Sequence, residues 1–308
     1  KHHGGVMATR KKPAMTTIEV VQPRHAAQLY AGALLSSRKR PGVVKALKPV
    51  TYVRPAVTLD AADIAAYAKV CGFKPEAGVP VLYPQMLTFP LAMEFFASEH
   101  CPWPAMGTVH LANRIRQHHK LNAGDVLRVE MRTGELLAHE KGQVFTLEFT
   151  ISRDGEPVWD GTMTALRLGV KSPVGKPYVS ALGGEAALSC QAGFTAPADI
   201  GRRYGLVSGD MNPIHLSAPS AKLFGFRQAI AHGLWTKARA LAAMLPRQPI
   251  ERAEVTVEFK TPLYLPGRVS LWATRQVEGT LPHNAIFEVR NAKGDKPHLR
   301  AQLAYSVA

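Results

Sequence analysis

The segment YGLVSGDMNPIH, residues 204–215, carries a carboxylate at Asp210, an amide at Asn212 and an imidazole at His215. Pro213 disfavours helical backbone at the residue before it, so this segment is predicted to be a turn. A turn can bring the carboxylate and the imidazole close together. With ordinary pKa values of roughly 3.9 and 6.5, Asp and His form a pair that can exchange protons near neutral pH. The competing interpretation is that Asp, Asn, Pro and Gly serve here only to reverse the chain.

A second segment, AHGLWT at 231–236, favours chemistry over a simple connection. Gly233 is predicted to open a helix that continues to Leu245 and ends before Pro246. The first backbone N–H groups of a helix have no partner inside the helix, so they can stabilise negative charge that develops on a carbonyl oxygen. An acid–base pair followed by such a donor is the minimum that chemistry beside a carbonyl group requires.

The elements that would position these groups occur twice in the chain. YAKVCGF at 67–73 and YGLVSGD at 204–210 share Tyr, Val and Gly at the same spacing. Downstream of each copy the apolar spacing predicts a central helix, over 84–100 with a break or kink at Pro90, and over 232–245. Alternating apolar and polar residues then predict long antiparallel strands and hairpins in four stretches: 114–133, 144–168, 257–274 and 285–307.

This duplication predicts two units of one α+β fold, an N-terminal unit at 16–170 and a C-terminal unit at 189–308. The Gly- and Pro-rich stretch 171–188 is predicted to link them. Residues 1–15, which begin KHHGGVMATRKK, have the composition of a tag remnant followed by a basic tail and are expected to lie outside the fold. Pairing of the two units would cover the open face and edge of each sheet.

The long motif YGLVSGDMNPIHLSAPSA, followed by AHGLWT, resembles the signature of the MaoC-like (R)-specific enoyl-CoA hydratases, or hydratase 2. The resemblance extends from about Tyr178 to Ala308 and weakly over the first half. It implies a double hot-dog fold, in which two fused α+β units each wrap an antiparallel sheet around a central helix. It also implies (R)-specific hydration of trans-2-enoyl-CoA to (3R)-hydroxyacyl-CoA, or the reverse dehydration.

The resemblance assigns roles to individual residues. Asp210 and His215 would activate and orient the water molecule, Asn212 would help to hold the loop or the water, and the N–H of Gly233 would polarise the thioester carbonyl. No metal or organic cofactor is expected, because the acid–base pair itself would deliver hydroxide to C3 and a proton to C2. Coenzyme A is part of the substrate. The expected substrate-binding residues are Ser208, Gly209, His232, Arg202 and Arg203.

The first half departs from the motif. Phe73 stands where Asp210 stands in the second half, Cys71 replaces Ser208, and no histidine matches His215. We therefore expect one active site per chain, with the first unit shaping the acyl tunnel and part of the site for the thioester carrier.

The net charge of +15 indicates a surface that attracts anions. Basic residues cluster in SSRKR (36–40), NRIRQHHK (113–120) and GRR (201–203). Two functions stay open for these clusters: recognition of the phosphates of coenzyme A, and docking of an acidic acyl carrier protein. Nucleic acid is not an expected partner, because aromatic residues are not interleaved with the basic ones.

Three widely spaced cysteines favour a reducing compartment. The apolar run 26–35 is too short to cross a bilayer. A cytoplasmic protein without a membrane partner is therefore expected, as a monomer or a homodimer. Three alternative functions remain: a dehydratase acting on 3-hydroxyacyl groups bound to a carrier protein, a thioesterase, and a non-catalytic protein that binds acyl thioesters.

Overall fold

The structure, a computed structural model, describes residues 15–274 and 281–308, so the predicted tail at 1–15 lies outside the described residues except for Met15. The helices are α1 (Ala26–Leu35), α2 (Ala61–Cys71), α3 (Pro84–Ala97), α4 (Ile200–Ser208), α5 (Ala218–Lys222) and α6 (Gly233–Met244). The strands are β1 (Thr16–Glu19), β2 (Val50–Thr58), β3 (Thr108–Gln117), β4 (Val126–His139), β5 (Gly142–Arg153), β6 (Glu156–Leu168), β7 (Lys176–Pro177), β8 (Ser189–Ala196), β9 (Ile250–Phe259), β10 (Gly267–Ala273), β11 (His283–Asn291) and β12 (Pro297–Val307). None of the helices in these ranges is long and apolar enough to cross a membrane.

The strands form one sheet that runs through both predicted units. Its order is β1-β2-β4-β5-β6-β3-β9-β12-β11-β10-β8, and β7 pairs with β4 outside this path. The two units join where β3 pairs antiparallel with β9, with Asn113 opposite Val257. Because each unit contributes an edge strand to this junction, the pairing removes two open edges.

The predicted duplication is visible in the helices. Helices α2 and α4 both end at a glycine with left-handed backbone, Gly72 with φ 86° and Gly209 with φ 79°. This conformation suits glycine, which has no Cβ to clash with the turn. The rings of Tyr67 on α2 and Tyr204 on α4 lie 6.3 Å apart, so the two copies of the motif pack against each other.

Helices α3 and α6 are the predicted central helices, with one difference from expectation. Pro90 lies inside α3, which continues to Ala97 instead of breaking. Leu91 and Phe95 in the following turns are completely buried. Packing of these side chains outweighs the hydrogen bond that Pro90 cannot donate. Helix α6 begins at Gly233, as predicted.

The segment 171–188 crosses from β6 to β8 and is fastened to both units. The backbone of Val174 exchanges two hydrogen bonds of 2.8 and 2.9 Å with the side-chain amide of Gln143. The hydroxyl of Tyr178 donates to Glu258 on β9 at 3.2 Å. The predicted linker is therefore bound along its path, while the exact domain limits stay a prediction.

A buried polar chain crosses the junction between the units. Lys237 on α6 is fully buried, and its Nζ donates to Asn113 Oδ1 at 2.6 Å. Asn113 in turn donates to Gln85 on α3 at 3.2 Å. Burial lowers the pKa of Lys237 to about 7, because a charged ammonium group loses its hydration there.

Replacing Lys237 by Met should remove one source of pH dependence in the free energy of unfolding. The folded-state pKa of about 7 lies below the ordinary value of 10.5, so the unfolded chain binds the extra proton between these values. Stability of the natural protein should therefore rise with pH in this window, by at most about 1.4 kcal/mol per pH unit.

Urea unfolding at several pH values from 7 to 9.5 measures this difference. Lys69→Met, at an exposed position of α2, is the matched control. Parallel stability curves for the natural protein and Lys237→Met would show that Lys237 does not have the lowered pKa.

Candidate active site

The loop after α4 consists of tight turns that the side chains of the motif close. Gly209 ends the helix, and Ser208 Oγ accepts a hydrogen bond of 3.1 Å from the N–H of Asp210. Asn212 Oδ1 accepts one of 3.2 Å from the N–H two residues later and caps the short 3-10 helix Pro213–His215. The predicted turn is confirmed, and within it Ser208 and Asn212 satisfy backbone donors.

Helix α4 packs on the backbone of this loop through two glycines. A Cβ at Gly201 would overlap the carbonyl oxygen of His215. A Cβ at Gly205 would lie 2.8 Å from Met211 Sδ and 3.0 Å from the carbonyl oxygen of Asp210. The spacing of four residues places both glycines on one face of the helix. Their lack of side chains therefore sets the distance between α4 and the loop.

Asp210 is held mainly through one of its two oxygens. Oδ1 accepts a hydrogen bond of 2.6 Å from the hydroxyl of Tyr30 on α1 and one of 3.2 Å from the N–H of Asn212. Oδ2 lies 3.7 Å from His232 Nε2, and the side chain is 28% exposed. Burial raises the pKa of Asp210, but His232, His215 and the Tyr30 hydroxyl outweigh this effect and hold it below its ordinary value. The carboxylate is therefore ionised at neutral pH.

His215 presents one unprotonated ring nitrogen. Its Nδ1 lies 2.7 Å from the carbonyl oxygen of Ile230. A carbonyl oxygen only accepts, so Nδ1 carries the proton and the neutral ring has its lone pair on Nε2. Burial lowers the pKa of His215 despite the nearby charge of Asp210. At neutral pH the ring is therefore a neutral base with a fixed tautomer.

His232 stacks on His215, with the ring centroids 3.7 Å apart and the planes at 26°. Its Nε2–H donates to the carbonyl oxygen of Asp210 at 2.9 Å. Burial lowers the pKa of His232 to about 3, so this ring is also neutral. The stacking and the hydrogen bond tie the start of α6 to the loop, which gives His232 a structural contact with both acid–base residues.

Gly233 is the first residue of α6, and its N–H has no acceptor among residues 15–274 and 281–308. A Cβ at this position would lie 2.7 Å from the ring of Phe259, so glycine is needed for the close packing of the two. The helix end also carries partial positive charge. This is the arrangement that an oxyanion donor requires.

Arg202 and Arg203 lie on the exposed side of α4. Arg202 Nη1 donates to the carbonyl oxygen of Leu216 at 3.0 Å, which fastens the end of the loop to the helix. Arg203 Nη1 lies 3.9 Å from Asp199. Contact of Arg202, Arg203, Ser208 or Gly209 with a substrate stays a prediction.

One carboxylate oxygen of Asp210 and one ring nitrogen from each of His215 and His232 lie within 4.8 Å of one another. This span suits a single water molecule, because two hydrogen bonds of about 2.8 Å at a tetrahedral angle join atoms about 4.6 Å apart. A carboxylate with two imidazoles is also a donor set for divalent metal ions. Within the described residues, a metal would be held at this place.

Tyr30 contacts Asp210 in the candidate site and was not predicted from the sequence. It lies 180 residues before Asp210 in the chain, so no local pattern connects the two. The only available signal was a single phenol in the apolar run AAQLYAGALL, since a buried tyrosine hydroxyl usually requires a hydrogen-bond partner. Ile230 and Phe259, which fix the ring of His215 and cover Gly233, had no signal in the sequence.

Comparison with known proteins identifies relatives that match most of the chain. A family model described as "MaoC like domain" matches residues 184–280. The 3-hydroxyacyl-thioester dehydratase X of Mycobacterium tuberculosis is 34% identical over 245 residues, which are 79% of this chain and 85% of that protein.

Solved structures agree with this result. A crystal structure of HtdX from Mycobacterium tuberculosis has a TM-score of 0.68 at 30% identity, covering 83% of this chain and 100% of that chain. A second protein from the same organism, described as a double hot-dog, has a TM-score of 0.55 at 12% identity, covering 85% of this chain and 96% of that chain. The predicted α+β double hot-dog fold is confirmed.

Gly201→Ala should destabilise the protein by about 1–3 kcal/mol, because the new methyl group must displace the backbone of His215. The sign of the change in the free energy of unfolding tests this contact, since Ala in place of Gly inside a helix otherwise stabilises a protein by up to about 1 kcal/mol. Urea unfolding measures the change.

Gly184→Ala is the control, because nothing lies within 4 Å of a Cβ at that position. If Gly201→Ala were as stable as the natural protein or more stable, the close packing of α4 on the loop would be contradicted.

Proposed function

The chain belongs to the MaoC-like dehydratase family, and from that premise we propose that it adds water to trans-2-enoyl-CoA thioesters and catalyses the reverse dehydration of (3R)-3-hydroxyacyl-CoA. The observation that carries the proposal is the ionised Asp210 beside the neutral His215, next to the free N–H of Gly233. The activity in the name of the relative from Mycobacterium tuberculosis, a 3-hydroxyacyl-thioester dehydratase, supports this reaction.

The water molecule is held between Asp210 and His215. Oδ1 of Asp210 is occupied by Tyr30 and Asn212, which leaves Oδ2 to accept one O–H of the water. Nδ1 of His215 is occupied by Ile230, which leaves Nε2 to accept the other. Two acceptors fix the orientation of the water and leave a lone pair of its oxygen for attack.

In the direction of hydration, the water oxygen forms a bond to C3 while its proton passes to Nε2 of His215. The electron pair of the double bond moves towards C1, and negative charge develops on the thioester oxygen. The N–H of Gly233 stabilises that charge. The proton on His215 then passes to C2, the thioester carbonyl re-forms, and both side chains return to their starting states.

One water supplies both the hydroxyl on C3 and the hydrogen on C2, so both add to the same face of the double bond. Resemblance to the hydratase 2 signature supports the (3R) configuration of the product. No metal or organic cofactor takes part in these steps. Phe73, at the equivalent place in the first unit, is buried and offers no acid or base, so we propose one such site among residues 15–274 and 281–308.

Coenzyme A is the expected carrier of the acyl group. An acyl carrier protein bearing the same thioester is the second candidate, because the dehydratase name of the relative specifies only a thioester. The two carriers differ in everything beyond the pantetheine arm, so assays with both distinguish them.

Asp210→Asn and His215→Ala should each lower kcat by roughly 10²–10⁴, the scale of lost acid–base catalysis. The measurement is the loss of conjugated-enoyl absorbance with crotonyl-CoA and with a medium-chain enoyl-CoA, followed by chiral analysis of the product. Phe73→Leu is the matched control at the equivalent position of the first unit and should keep kcat.

Dialysis against EDTA should leave the activity unchanged, and free thiol should not be released. Wild-type turnover by folded Asp210→Asn protein would disprove the assignment of the site. Release of free coenzyme A would identify a thioesterase, and ligand-induced stabilisation without turnover would identify a binding protein.

Tyr30→Phe should shift the acidic limb of the pH profile of kcat/KM to higher pH by about one unit and leave kcat at neutral pH nearly unchanged. The reason is that the Tyr30 hydroxyl lowers the pKa of Asp210, so its loss raises the pH needed to ionise the carboxylate. An unchanged acidic limb with normal kcat would mean that Tyr30 has only a packing role.

A further inference from the structure

A cleft of about 700 Å³ opens beside the end of α1, a volume typical of sites for small ligands. Three segments line it: 37–44 after α1, 103–106 before β3, and 167–172 after β6. The first segment holds most of the basic cluster SSRKR. Apolar side chains form part of the surface, with Val43 68% and Leu168 41% exposed.

Four cationic side chains line the cleft: Lys39, Arg40, Arg167 and Lys171. No carboxylate lines it. Among the described residues none of the four forms an ion pair. Neutral carbonyl groups hold three of them instead. Arg40 Nη1 donates to the carbonyl oxygens of Ser37 and Lys39 at 2.6 and 2.9 Å. Lys39 Nζ donates to the carbonyl oxygens of Ser98 and Cys101, each at 2.7 Å, and Arg167 donates to those of Pro104 and Met106.

Burial lowers the pKa of both Lys39 and Arg167, which means that their charged forms are incompletely solvated. Their backbone partners fix the positions of the charges without neutralising them. A bound anion would provide the missing opposite charge. Arg40 and Lys171 are exposed at the rim, where further N–H donors can reach the anion.

The other two basic clusters lack this property. In the cluster 113–120, Arg114 pairs with Glu254 at 2.8 Å, and Asp160 pairs with both Arg116 and His118. In the cluster 201–203, Arg202 is used by the loop and Arg203 lies near Asp199. Only the cluster at 36–40 combines a cleft with positive charge that no acidic residue offsets.

The cleft adjoins the wall of the active site. Helix α1 carries Tyr30, which contacts Asp210. Ser37, which lines the cleft, lies about 10 Å further towards the C-terminal end of this helical segment. Ala105, between the lining residues Pro104 and Met106, packs in the same apolar cluster as Tyr30. A ligand with a reactive group at Asp210 and an anionic group in this cleft would be an extended molecule.

We propose that this cleft binds the phosphorylated nucleotide of coenzyme A, with the cations on its phosphates and the apolar residues against the adenine. The proposal rests on the proposed function, since a thioester of coenzyme A has its reactive carbon at one end of a long arm and its phosphates at the other. Arg40, Arg167 and Lys171 have N–H donors without a partner among the described residues and bind the phosphate oxygens.

The test compares the double variant Arg40→Gln/Lys171→Gln with the natural protein. Both residues are exposed, so folding is not at risk. Lys69→Gln/Lys293→Gln, at exposed positions outside the cleft, removes the same charge and is the control. Calorimetry gives the Kd of coenzyme A and of dephospho-coenzyme A. Kinetics give KM and kcat for an enoyl-CoA and for an enoyl N-acetylcysteamine thioester, which lacks the phosphates and the nucleotide.

The double variant should raise the Kd of coenzyme A and the KM of enoyl-CoA about tenfold, with kcat unchanged. Its kcat/KM for the N-acetylcysteamine thioester should equal that of the natural protein, and the control should bind coenzyme A normally. Dephospho-coenzyme A should bind more weakly than coenzyme A to the natural protein. Added salt should reduce this difference, because it screens the charges.

A Kd and a KM within twofold of the natural values would overturn the proposal. An increase in KM for Arg202→Gln/Arg203→Gln instead would place the phosphates at α4. Failure of the natural protein to bind coenzyme A, with turnover of carrier-bound substrates only, would also overturn it. If no thioester is turned over, the proposed function fails, and the calorimetric comparison of the two double variants still decides whether the cleft binds coenzyme A.

Discussion

Helix α4 and the loop that follows it touch at the level of their backbones, and the geometry of the active site depends on this contact. Gly201 and Gly205 leave no space between the helix and the carbonyl groups of His215 and Asp210. The loop donors are satisfied inside the loop, and His232 binds its backbone to the start of α6. Main-chain contacts thus hold three segments together and leave the reactive atoms of Asp210 and His215 unoccupied.

Burial has opposite consequences for the two members of this pair. An imidazole loses its charge when it is desolvated, which lowers the pKa of His215 and keeps it a base. Burial pushes a carboxylate towards its neutral form, but the neighbouring His232 and His215, together with the hydrogen bonds to Oδ1 from Tyr30 and the loop, keep the pKa of Asp210 below its ordinary value. One of these donors, Tyr30, comes from the first unit. That unit has Phe73 in place of Asp210 and supplies Tyr30 and the basic cleft.

Features that depend on neighbouring residues were predictable from the sequence. The Asn212-Pro213 turn, the start of α6 at Gly233 and the repeated glycine at 72 and 209 follow from local backbone preferences. The hairpins follow from the alternation of apolar residues, and the motif around Asp210 was long enough to indicate the family.

Features that depend on distant residues were not predictable. Pro90 was expected to interrupt or kink its helix, and the helix continues without a break to Ala97. Lys237 has the sequence appearance of a surface residue and is fully buried. The cluster 113–120 differs from the cluster 36–40 through the acidic residues Glu254 and Asp160, which other strands bring to it. The contact of Tyr30 with Asp210 exists because α1 packs on α3 and reaches the second unit.

The central claim is that a thioester binds with its carbonyl oxygen on Gly233 and its double bond beside Asp210 and His215. The most direct test is a crystal structure of the Asp210→Asn variant with a trans-2-enoyl thioester bound. We expect the carbonyl oxygen at about 2.7–3.1 Å from the backbone nitrogen of Gly233, with C3 facing Nε2 of His215. A thioester whose carbonyl oxygen lies away from Gly233, or whose double bond lies away from His215, would contradict it.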